Sequence, residues 1–271
     1  MKRLKTSTIF TYLFLIIVSF ISLFPFIWMI IGTTNKSVDI LRGKFTFGNN
    51  LLENFQNLLA SYNLGKILIN SLKISLIVTV GALLISSLAA YGFEIYASNI
   101  REKIYSIILG TLMIPFAALM VPLFKLMTSF NLIDSHWGVI LPMLSSVFLI
   151  FFFRQNFKMY PKEIIMAARV DGANELQIFF SIVFPSMRSA YAAGAIWAFM
   201  NSWNSYLWPL VILQSEEKKT MTLLISTLAS GYTPDFGVIM TAVVIATLPM
   251  IIVFFTLQNY FIQSILGSMK Q

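Results

Sequence analysis

Apolar runs separated by short polar breaks fill this chain, and the runs are too long to be strands. Six of them cover roughly 9–31, 70–93, 104–127, 137–157, 188–213 and 238–262. At 1.5 Å rise per residue, a helix of about 20 residues crosses the roughly 30 Å hydrocarbon core of a bilayer. The pattern predicts an all-α integral membrane protein, with six transmembrane helices forming one transmembrane domain over 1–271. The first run follows Lys2, Arg3 and Lys5, as a signal peptide would. It is longer than a signal peptide and has no small-residue cleavage site before Gly32, so it reads as a retained span. Pro115, Pro122, Pro142, Pro209 and Pro249 fall inside the later runs and predict kinks.

The polar breaks differ in kind. In the longest, 32–69, Leu51, Leu52, Phe55, Leu58 and Leu59 share one helical face, which predicts a helix lying at the bilayer interface. Asn35-Lys36-Ser37 matches a glycosylation sequon. The break 160–185 carries Lys162, Glu163, Arg169, Asp171 and Glu175 and has the signals of ordered structure. Pro161 suits the start of a helix over 162–170, and Asp171-Gly172 ends it because glycine readily adopts a positive φ. Asn174 with Gln177 three residues later is a capping-box pattern that starts a second short helix toward Pro185. Ala167 and Ala168 form a low ridge ringed by Arg169, Asp171 and Glu175. Such a loop is either a docking surface for a soluble partner or an amphipathic connector on the membrane surface.

Composition supports the membrane reading and narrows the chemistry. The 271 residues are 58% hydrophobic and 11% charged, against about 25% charged in soluble domains. The net charge of +8 is topological rather than a nucleic-acid footprint. With the N-terminus inside, eleven basic residues face the cytoplasm (Lys2, Arg3, Lys5, Arg101, Lys103, Arg154, Lys158, Lys162, Arg169, Arg188, Lys270). Six face outward (Lys36, Arg42, Lys44, Lys66, Lys218, Lys219), so both termini and the 160–185 loop are placed in the cytoplasm. The absence of cysteine excludes disulfides and thiolate chemistry. His136 alone makes no metal site and reads as a solvent-facing residue of an outer loop.

No acidic residue falls near the middle of any run, which speaks against a proton- or sodium-driven pump. No G-x-x-x-x-G-K-[ST] loop occurs, so the chain is not expected to hydrolyse ATP or to be an enzyme. Energy must then enter from another subunit. In the fifth run, Trp197, Asn201, Asn204 and Trp208 recur on one face of a continuous helix. Amides that bond hydroxyls and indoles that pack on sugar C–H surfaces suit a carbohydrate path. The same stripe also suits contact between helices.

The pattern Ala167-Ala168-x-x-x-Gly172, followed after nine residues by Ile182-x-Phe184-Pro185, resembles the EAA loop of ABC-importer permeases. Phe24-Pro-Phe-Ile-Trp28, Asn70-Ser-Leu72, Ala90-Tyr-Gly92, Met113-Ile-Pro115, Trp203-Asn-Ser-Tyr-Leu-Trp-Pro209 and Ala246-Thr-Leu-Pro249 extend the likeness along nearly the whole chain. It is similar to the six-span second permease of carbohydrate-uptake systems of the maltose and lactose type. The resemblance implies a sugar or oligosaccharide permease of the prokaryotic cell membrane. Its implied partners are a second, different permease, an external solute-binding protein and two cytoplasmic ATPase subunits that bind ATP and magnesium. It also implies that Glu163, Met166, Ala167, Ala168, Arg169, Asp171 and Gly172 form the coupling helix seated in an ATPase cleft. The tail Ser268–Gln271 is implied to reach the ATPase interface. Met166 stands where the family usually has Glu, and Glu163 lies on nearly the same helical face as a substitute. The alternatives are a permease for a polyamine or glycerol-phosphate, or a membrane anchor through which nothing passes.

Overall fold

The computed structural model describes residues 6–267, which contain helices and no strand. Lys2, Arg3, Lys5 and the tail Ser268–Gln271 lie outside the described residues. The helices are α1 (Thr6–Thr33), α2 (Ser37–Leu41), α3 (Leu51–Ser61), α4 (Leu64–Ile95), α5 (Asn99–Gly110), α6 (Phe116–Ser129), α7 (His136–Met143) and α8 (Val147–Lys158). They continue as α9 (Lys162–Val170), α10 (Glu175–Gln177), α11 (Phe184–Ser186), α12 (Arg188–Trp203), α13 (Leu207–Ile212), α14 (Met221–Ala229) and α15 (Phe236–Gly267). A π-helical stretch, Ile178–Val183, joins α10 to α11.

Among the described residues, four helical segments are long and apolar enough to cross a membrane: Phe10–Thr33, Leu64–Ile95, His136–Lys158 and Phe236–Asn259. The run expected at 104–127 is not one straight span. Asn99–Met113 and Phe116–Ser129 meet at 104°, because Ile114 before Pro115 is extended (ψ 118°) and the proline has no N–H to continue the ladder. The run expected at 188–213 is also broken, at 204–206. Pro209 in the first turn of α13 cannot donate a helical hydrogen bond to the carbonyl of residue 205, so α12 stops at Trp203 and a new helix starts at Leu207.

Contacts divide the chain into two compact units, residues 1–65 with 224–248, and residues 66–223 with 249–271. In the first, Asn54 donates to the carbonyls of Thr33 (2.8 Å) and Asn35 (3.1 Å), pinning α3 to the end of α1. Asn35 is itself buried and donates to the carbonyls of Ile31 and Thr46, so the expected sequon is a packed turn. The apolar face expected on α3 is split. Leu58 is buried beside Asn54, while Leu51, Leu52, Phe55 and Leu59 remain exposed. Most apolar side chains of α1 are exposed, a surface that is stable only against lipid or another protein.

Among its described residues the second unit holds two apolar cores. One gathers Leu149, Phe153 and Phe157 of α8 with Ile165, Ile178, Phe179 and Tyr91. Burying each Phe removes enough surface from water to contribute about 1.5–3 kcal/mol. This core seats the 160–185 loop. The other packs Trp208 and Ile212 against Val139 and Ile140 of α7 and Ile74 and Val78 of α4.

Candidate functional site

The polar loop between α8 and α12 is built as its sequence signals require. Pro161 precedes α9, and Asp171 closes it, its N–H bonding the Ala167 carbonyl. Gly172 follows at φ +83°, a conformation that favours glycine. Asn174 and Gln177 then make both bonds of the capping box, each 2.9 Å. A capping-box start passes directly into the π-helical stretch, a wide turn that recurs at functional sites.

α9 has two contrasting faces. Ile165 and Ala168 are buried against the core, so only Ala167 of the alanine pair is outward. Glu163, Met166 and Val170, at spacings of three and four, lie on the outward side, with Met166 60% and Val170 87% exposed. Among the described residues no ion pair involves Glu163 or Asp171. The outward face therefore offers two apolar knobs, a free carboxylate at each end, and little relief between them.

The expected ring of outward charges is not what forms. Arg169 turns back, with Nε 2.7 Å from Oε1 of Glu175 and its guanidinium 5.4 Å from the Tyr96 ring centre. Tyr91 of α4 donates its hydroxyl to Oε2 of Glu175 at 2.9 Å. The hydrogen bond from Arg169 holds the Glu175 carboxyl below the usual range, with burial opposing and Tyr91 assisting.

A second charge cluster lies beside the loop. Arg154, 4% exposed at the end of α8, donates to Glu94 at the end of α4 (3.3 Å) and to Glu102 in α5. Its guanidinium also stacks 4.0 Å above the Tyr105 ring. Lys162, the first residue of α9, completes the cluster by donating to Glu94 at 3.0 Å. Sequence reasoning counted Arg154 only as a topological charge. The available signal was an arginine inside the last turn of an apolar run, which requires a buried carboxylate, and Glu94 at the end of another run.

The tryptophan and asparagine stripe is not one helical face. Trp197 stacks on Phe148 at 4.4 Å, while Asn201 is exposed on α12 and Asn204 is exposed at its end. Trp208 belongs to α13, is 1% exposed, and donates Nε1 to the Gly138 carbonyl at 3.1 Å. The break before α13 separates Trp208 from the others.

At the opposite end of α4, Asn70 donates to the carbonyls of Glu217 (2.8 Å) and Lys219 (3.2 Å). Asp134 accepts from the backbone N–H groups of Gln214 and Ser215, both at 3.0 Å, and from Lys218 at 2.9 Å. Ser215, through hydroxyl and N–H, and then Lys218 hold the Asp134 carboxyl well below the usual range. His136, read as solvent-facing, is half-buried with Nε2 3.2 Å from the Lys218 carbonyl. Together these bonds fix the loop 214–220 in place.

Residues 82–267 match the family of binding-protein-dependent transport system inner membrane components. The chain is 50% identical over 268 residues to the lactose transport system permease protein LacG of Rhizobium radiobacter, covering 99% of this chain and 98% of the relative. It is 37% identical over 268 residues to the arabinooligosaccharides transport system permease protein AraQ of Bacillus subtilis (strain 168), covering 95% and 94%. Its fold is similar to that of a solved bacterial ABC transporter involved in the import of the acidic polysaccharide alginate, with a TM-score of 0.83. That match covers 96% of this chain and 100% of the other at 22% identity. The match over residues 82–267, with 50% identity along almost the full length of a relative, makes this chain a member of the binding-protein-dependent transport system inner membrane component family.

Proposed function

We propose that the chain is a permease subunit of an ABC importer that moves a sugar or oligosaccharide into a prokaryotic cell. The observation that carries the substrate class is 50% identity over 268 residues to a lactose permease. In this reading residues 1–271 form one permease domain that crosses the cell membrane six times, with both termini cytoplasmic. The four long apolar segments supply four crossings, the bent pair a fifth, and α12 with α13 the sixth. The partners are a second, different permease, an external solute-binding protein, and two cytoplasmic ATPase subunits that hold ATP and magnesium.

Chemically, α9 is the coupling helix. Its buried side, Ile165 and Ala168, is committed to the permease core, and its exposed Met166 and Val170 seat in the ATPase cleft. Glu163, Ala167, Asp171 and Gly172 complete that contact, and Arg169 shapes the loop from behind. A Met in an apolar cleft is adaptable and needs no arginine partner, which accounts for the loss of the usual Glu. Asn201 and Asn204 are neutral, exposed hydrogen-bonding groups suited to sugar hydroxyls, with Trp197 nearby on the same helix. Trp208 supports this path from the core rather than facing it.

The test is reconstitution of the complex with its binding protein in liposomes. Labelled oligosaccharides should accumulate only with ATP. An assembly whose ATP hydrolysis responds to the binding protein, yet accumulates no sugar from a broad panel, would overturn the substrate class.

A further inference from the structure

The last turn of α4 holds the 160–185 loop at both ends of α9. Glu94 uses its two oxygens separately: Oε2 takes Arg154 Nε at 3.3 Å, and Oε1 takes Lys162 Nζ at 3.0 Å. Arg154 lies one turn before the end of α8 and Lys162 begins α9, with a bend at 159–161 between the helices. One turn earlier on α4, Tyr91 holds Glu175, which also holds Arg169. One attachment therefore lies at the first residue of α9 and the other just past its end. α9 cannot slide or pivot without breaking an ion pair or moving α4.

The role of Glu94 goes beyond balancing a buried charge. Arg154 requires carboxylate partners because it is removed from water, and Glu102 already supplies one. Lys162 is about half exposed and could keep its ammonium hydrated. It reaches Glu94 instead. From Glu94 to Asn70, α4 runs unbroken and without proline for about 36 Å at 1.5 Å per residue. At that far end Asn70 and Ser71 bind the loop 214–220 and its exit, the latter by accepting from Met221 N–H at 2.7 Å.

We infer that Glu94 is a positioning residue that fastens the coupling helix to α4, so that displacement of α9 is carried along α4 to the loop held by Asn70. This rests on the reading of α9 as the ATPase contact.

The test uses the complete importer in liposomes with its binding protein. Two ratios are measured: sugar accumulated per ATP hydrolysed, and stimulation of ATP hydrolysis by the binding protein. The variants are Lys162→Gln, Lys162→Arg, Glu94→Gln, Glu94→Asp and the Glu94→Gln/Lys162→Gln pair. Lys162→Gln and Glu94→Gln should each lower both ratios about two- to thirty-fold, the range for removing one member of a coupling network. Lys162→Arg and Glu94→Asp should stay near wild type, and the pair should be no worse than the weaker single variant. Unchanged ratios in Lys162→Gln overturn the inference, as does a pair whose loss is the product of the two singles. If Glu94→Gln fails to assemble because Arg154 loses a partner, Lys162→Gln against Lys162→Arg decides alone. A wild-type complex that responds to the binding protein but moves no sugar would sink the substrate reading, while the stimulation ratio would still judge Glu94.

Discussion

Arg169 and Glu175 close on each other across the Gly172 turn, Nε to Oε1 at 2.7 Å, and so staple the 160–185 loop. These two charges are satisfied within the loop. The Met166 and Val170 side of α9 is left exposed, and in the proposed function it is the surface that docks.

The staple should weaken only as pH falls below the usual glutamate range. Because the folded Glu175 carboxyl is held below its usual range by Arg169, the pairing stabilises the loop above the usual glutamate pKa. That contribution is lost as pH falls through the depressed value. Protection factors from amide exchange over 171–176 should stay flat above the usual glutamate range and drop below it. In Arg169→Gln the drop should be smaller, since the main cause of the depression is gone. A drop of undiminished size would remove Arg169 from this role.

Gly172→Ala isolates backbone strain. A Cβ there meets nothing within 4 Å, but φ is +83°. Left-handed backbone costs a non-glycine residue about 1–2 kcal/mol, so the variant should lower thermal stability of the loop by that order without steric damage. Gly172→Asn should lose less, because asparagine tolerates this region.

The apolar knobs should matter more to assembly than the nearby acid. Val170→Asp or Met166→Asp would place a charge where an apolar cleft closes, and co-purification of the ATPase subunits should fall clearly in either. Glu163→Gln tests the alternative that this carboxylate replaces the usual first Glu. If Glu163→Gln releases the ATPases while Met166→Asp does not, the contact is electrostatic and the apolar reading is wrong.

Trp208 and Asn201 should separate stability from substrate affinity. Trp208→Phe strands the Gly138 carbonyl in a buried site, at a cost of about 1–3 kcal/mol, and should lower the unfolding temperature with little change in the uptake KM. Asn201→Ala, at an exposed position, should do the reverse. Equal effects on KM would place Trp208 back on the sugar path.

The sequence by itself settled what chain chemistry dictates locally. Apolar run lengths identified a helical membrane protein, Asp171-Gly172 predicted the end of α9, and Asn174 with Gln177 predicted the next helix start. Each depends on neighbours a few residues apart, so each is legible without a fold. Prolines were visible too, but their consequence was not. Whether Pro115 merely kinks a helix or turns it by 104° depends on what packs around the freed backbone groups. Tertiary structure alone placed Trp208 in a core instead of on a path. It also brought Glu94, Glu102, Arg154 and Lys162 together, and set Tyr91 against Glu175. Those decisions join residues far apart in the chain, where the cost of leaving a charge or carbonyl unpaired is paid only once helices meet. No periodicity along the sequence records which buried carboxylate a buried arginine will find.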